Sequence, residues 1–180
     1  VRTFDAYIDD LTTAHGAPGF VFLCEGRRLW LSAKSGADWA QVTPTAVTSG
    51  AETIPWGKSG YTLTRVACDP LKPTTLYAAG SSNRADRPGL RRLDLRTRQE
   101  ELVPGSERLL YPSCSPRGDL LGVEAPSTGD FVFWIRPLSA PSWKSLGALP
   151  ILWTTWAADG ASFVGITADG SVSYMNPDYW

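Results

Sequence analysis

Six arginines, at positions 84, 87, 91, 92, 96 and 98, fall between Asn83 and Arg98, the densest run of ionisable side chains in the chain. Guanidinium groups at that density can dock phosphate or an acidic protein surface through forked hydrogen bonds. Asp86, Asp94, Glu100 and Glu101 stand in or beside the run and partly neutralise it. In a strand, Arg92, Asp94 and Arg96 alternate with Leu93 and Leu95, which puts the charges on a solvated face and the leucines in a core. Arg84, Arg87, Arg91 and Arg92 are therefore the candidate partner contacts of this run. Trp56 joins them, because it sits in the turn-rich stretch 44–60, where an indole is harder to bury than in a strand.

The remaining reactive side chains form no assembled set. His15 is the single histidine, so a multi-histidine metal site is excluded and only one triad or dyad is formally open. No GxSxG elbow accompanies it. Cys24, Cys68 and Cys114 are odd in number and widely spaced. They make no disulfide framework or zinc motif and read as ordinary buried thiols, with one bridged pair left open. Gly57-Lys-Ser-Gly60 lacks the upstream glycine and following helix of a phosphate-binding loop. No catalytic residue, cofactor site or metal site is assigned.

These residues must be positioned by β-structure. Short alternating runs such as Arg28-Leu-Trp-Leu31, Leu76-Tyr-Ala-Ala79 and Phe131-Val-Phe-Trp-Ile135 are cut by Gly, Pro, Asn and Asp, and 17 Gly and 14 Pro imply many turns. Only the opening Phe4 to Ala14 has helical spacing. The chain also repeats itself. Val66-Ala-Cys-Asp-Pro70 with Thr75-Leu-Tyr-Ala-Ala79 has counterparts in Tyr111 to Val123 and in Trp153 to Ile166, and Pro70, Pro116 and Ala158 occupy matching turn positions 46 and 42 residues apart. That is the period of a four-stranded propeller blade. Arg117-Gly118 and Asp159-Gly160 supply the φ > 0 position of each hairpin turn. An earlier, poorer copy begins near Gly19.

Two propeller families are similar at particular residues. Leu29 to Thr43 resembles the Asp-box of neuraminidase-type repeats, SxDxGxxW, with Ser32, Gly36 and Trp39 in place and Lys34 where the aspartate belongs. Cys114-Ser-Pro-Arg-Gly-Asp-Leu-Leu-Gly-Val123 and Trp156 to Gly165 resemble the SPDGxxLAF turn of TolB-like and WD-type repeats. The resemblance implies an all-β fold: a β-propeller, or a propeller segment, of about four antiparallel four-stranded blades. These would form a single domain over residues 1–180, with blades near 19–60, 61–104, 107–147 and 150–180. It implies fold and not activity.

The functional expectation is a non-catalytic scaffold for protein–protein assembly, an accessory subunit and not an enzyme. The alternative is a carbohydrate-active, sialidase-like propeller or a hydrolase-associated one, for which Arg65, Tyr61, Glu124 and Asp130 have the required types but no organising spacing. Lys plus Arg total 17 against Asp plus Glu 18, net −1, so no uniform field favours nucleic acid. The expected partner is protein, with a small-molecule or glycan ligand as the other class. No apolar run approaches the roughly 20 residues of a spanning helix. Val1 to Phe20 shows no signal peptide, and the expected location leans extracytoplasmic or secreted.

Overall fold

The computed structural model describes residues 8–13, 21–25, 28–32, 37–41, 46–49, 52–55, 66–72, 74–79, 89–127 and 129–176. They form four β-sheets in chain order. The first contains β1 (Ile8–Thr13), β2 (Val21–Glu25), β3 (Arg28–Ser32) and β4 (Ala40–Gln41). A hairpin follows, β5 (Ala46–Ser49) and β6 (Glu52–Pro55). The second sheet is built on β7 (Val66–Cys68), β8 (Thr75–Ala79), β9 (Leu90–Asp94) and β10 (Gln99–Leu102). The third holds β11 (Leu109–Cys114), β12 (Leu120–Glu124), β13 (Val132–Arg136) and β14 (Lys144–Ala148). The fourth holds β15 (Ile151–Trp156), β16 (Phe163–Thr167) and β17 (Val172–Met175).

Within each sheet the strands run antiparallel to their sequence neighbours, an arrangement that needs only short turns. The β11–β12 turn shows how the sequence closes one. Ser115, fully buried, accepts the N–H groups of Arg117 and Asp119 at 3.2 and 2.9 Å on its Oγ, and Gly118 takes φ +92°. Asp119 Oδ1 then accepts the Leu138 N–H at 2.9 Å, which ties this turn to the β13–β14 connection. The β15–β16 turn repeats the plan with Gly160 at φ +67° and Asp159 accepting the Ala161 N–H.

Alternation gives every sheet two faces, and in the second and third sheets one is turned toward the preceding sheet and the other toward the following sheet. Leu121, Val123, Phe133 and Ile135 on the third sheet meet Ile151, Phe163 and Met175 on the fourth, all no more than 7% exposed. Ala67, Ala79, Leu90 and Val103 around the second sheet meet Leu109, Cys114 and Leu120 of the third. β1 and β2 contact β7, so the first sheet follows the same order. The core is thus a series of layers between successive sheets, a propeller-like arrangement.

Three expectations are corrected. The opening helical spacing gives way to strand β1, whose register with β2 runs from Ile8↔Glu25 to Thr13↔Val21. Sheet pairing satisfies its backbone and overrides weak local spacing. Part of the stretch 44–60 is the β5–β6 hairpin, which adds to the second sheet through a parallel pairing of β5 with β10, Gln99↔Thr48 and Glu100↔Ser49. The second sheet accordingly holds six strands in place of four, and the sheets hold four, six, four and three among the described residues.

Candidate binding cavity on the second sheet

β9 carries Arg91 and Arg92 on opposite faces, as consecutive strand residues must. Arg91 lies on the face of Leu76 and Leu93, turned toward the preceding sheet; its side chain is 12% exposed and approaches the fully buried carboxylate of Glu100 at 3.9 Å. Its Nε is buried with no hydrogen-bond partner. An ion pair in that setting is held for want of solvent: each charge would cost several kcal/mol if left alone. Arg91 is therefore largely withdrawn from solvent, beside a buried carboxylate.

Arg92 faces the other way, beside Tyr77, and pairs with Glu101 directly across the β9–β10 ladder. Both side chains are half exposed. They line a cavity of about 470 Å³ together with Lys72, Thr75, Asp94, Thr97, Gln99 and Glu100. The tight β9–β10 turn positions these groups: Asp94 Oδ1 accepts the Arg96 and Thr97 N–H groups at 2.8 and 3.1 Å, and Arg98 takes φ 61°. Asp94 and Gln99 then stand opposite each other, two residues along the ladder from Arg92 and Glu101 and so on the same face. Tyr77, in the next position inward, has its hydroxyl pushed upward in pKa by burial first and the Cys114 thiol second, so it stays a neutral donor.

The chemistry of the lining is mixed. An ammonium, a guanidinium, carboxylates, two hydroxyls and an amide face one space, and the guanidinium is already matched by Glu101. Carboxylates at this density repel phosphate, so an anion site does not result. Alternating donors and acceptors of balanced charge suit a neutral polyhydroxylated ligand. A second cavity of about 300 Å³, lined among others by Arg117, Asp119, Lys144 and Trp156, lies where the third and fourth sheets meet at their hairpin turns.

No family model matches the chain, and no curated protein matches it. Among solved structures it is similar to an ancestral GH74 enzyme, at 12% identity and a TM-score of 0.52, over 97% of this chain and 28% of that one. GH74 is a glycoside hydrolase family of β-propellers. At that identity the likeness is one of fold, and it supports the propeller-like arrangement of the four sheets. The chain spans 28% of the length of that enzyme.

That finding overturns the expectation that the chain is not an enzyme, because the propeller it matches belongs to an enzyme. A degenerate Asp-box and the lack of an organised motif do not exclude a propeller whose polar groups converge through the fold. The scaffold role gains no support from the likeness. No helix is long and apolar enough to cross a membrane among the described residues.

Of the other expected contacts, Trp56, Arg84 and Arg87 lie outside the described residues, as do His15, Tyr61 and Arg65. Glu124 receives the Trp134 indole N–H at 3.2 Å and the Arg108 guanidinium at 3.1 Å, an anchored carboxylate at the opposite end of its strand from the hairpin turn. Of the Asp-box positions, Ser32 and Trp39 flank the β3–β4 hairpin, with Ser32 fully buried. Lys72, Thr75, Gln99 and Glu101 were missed as site residues. The β9–β10 turn centred on Arg96-Thr97 is the signal that would have found two of them, since it sets Gln99 against Asp94 and Glu101 against Arg92.

Proposed function

We propose that the chain is part of the propeller of a carbohydrate-active enzyme and that the cavity on its second sheet contributes glycan contacts. The mixed donor and acceptor lining around Arg92, Gln99 and Glu101, on a fold similar to that of a GH74 enzyme, supports this reading. Sugar hydroxyls both donate and accept, so carboxylates, an amide and a guanidinium engage them without needing a net charge. Asp94 is occupied by turn N–H groups and Glu101 by Arg92. A glycosidase requires a free acid and a free base or nucleophile about 5 to 9.5 Å apart. The role of this cavity is therefore to hold a saccharide rather than to cleave it.

Affinity electrophoresis of the 180-residue chain through gels containing soluble glucans, mannans or xylans tests the assignment. Retardation by at least one polysaccharide is expected. Gln99→Ala should weaken it about fivefold, the equivalent of one hydrogen bond of about 1 kcal/mol. Unretarded migration in every gel, or a Gln99→Ala chain retarded as strongly as the parent, would sink it.

A further inference from the structure

The fourth sheet repeats the third position by position. Ile166 pairs with Val172 and Val164 with Tyr174, as Val123 pairs with Phe133 and Leu121 with Ile135. In the third sheet all four of those side chains are at most 6% exposed, because the fourth sheet covers them. In the fourth sheet Ile166 is 44%, Val172 69% and Tyr174 66% exposed, and Trp153, opposite Ile166, is 54% exposed. The other face of the same sheet, with Phe163 and Met175, is buried against the third.

The apolar character of this face has no local cause. Its positions are the ones that carry the sheet-to-sheet core twice already, between the second and third sheets and between the third and fourth. The pattern is that of an interface lacking its other half. β17 adds a second indication: β4 and β14 each close their sheet with a fourth strand, while β17 pairs only with β16 among the described residues. The four sheets also account for only 28% of the propeller enzyme they match.

We infer that the face formed by Val164, Ile166, Val172 and Tyr174 is the docking surface for a further propeller blade carried by the same polypeptide. The blade packs there as the fourth sheet packs on the third. Its recognising side would present large apolar side chains at the positions that Phe163 and Leu120 occupy in the sheets before it. Small residues are expected at the positions of Gly165 and Gly122.

The test compares the 180-residue chain with the product of the entire open reading frame that encodes it. Oxidative footprinting by hydroxyl radicals should modify Trp153 and Tyr174 readily in the shorter chain and several-fold more slowly in the longer one. The double variant Ile166→Lys/Val172→Lys should lower the thermal midpoint of the longer product and leave that of the shorter chain unchanged. Equal modification of the two residues in both proteins overturns the inference. So does a reading frame that ends at Trp180, a dimer of the 180-residue chain that the double variant dissociates, or loss of polysaccharide retention on Tyr174→Ala.

Discussion

Arg91 and Arg92 are neighbours in sequence with opposite roles, one buried against Glu100 and the other lining a polar cavity. Alternation predicts that they point apart, and the leucines at 93 and 95 indicate a packed side; nothing local tells that Arg91 shares that side with a buried carboxylate. Glu100 likewise reads as one more surface charge until β10 is laid beside β9. The thiols behave more as composition suggests. Cys68 and Cys114 are buried thiols. Burial first and Asp69 second push the Cys68 thiol up to about 12 from 9.0, and burial drives Cys114 upward as well. Both should be silent toward a thiol reagent at pH 8 in the folded chain and react on unfolding. Because the folded state favours the neutral thiol, its contribution to stability is complete below pH 9. It is lost as pH rises from there through about 12, and urea midpoints measured across that range should fall.

Hairpins were the most legible elements, because their turns depend on residues close in sequence. Ser115, Gly118 and Asp119 form a closed set of local hydrogen bonds, and the repeat at Asp159-Gly160 does the same work. The second strand of each hairpin carries a less visible rule. Ala78, Gly122 and Gly165 occupy the same position on the face toward the preceding sheet. A Cβ on Gly122 would lie 3.0 Å from Leu109 Cδ1 and 3.2 Å from Leu90 Cδ1. Small side chains there let the neighbouring sheet approach. Gly122→Val should cost about 1–3 kcal/mol by overpacking, seen as a lower urea midpoint with an unchanged slope. Hairpin β5–β6 was not legible, since its partner β10 lies some fifty residues away in sequence and the pairing is parallel.

Successive sheets contact their neighbours, so stability is close to a sum of sheet and interface contributions. Phe163, 1% exposed, fills the interface between the third and fourth sheets and stacks edge-on against Trp156 at 5.5 Å. Phe163→Ala should cost about 3–5 kcal/mol. Its effect should be local: amide exchange should accelerate in β15, β16 and β17 while β7, β8 and β9 keep their protection, as hydrogen-exchange mass spectrometry would show. Uniform acceleration would mean a single cooperative unit. Repeat spacing, turn residues and alternation were enough to establish an all-β chain, its hairpins and the two faces of each strand, because all of these depend on neighbours a few residues apart. Tertiary structure alone decided which face is covered and by what. Burial of Arg91, the convergence of Lys72, Thr75, Arg92, Gln99 and Glu101 on one cavity, and the open apolar side of the fourth sheet all follow from how sheets stack. A period of two assigns residues to a face, but the energy of that face is set by the surface brought against it.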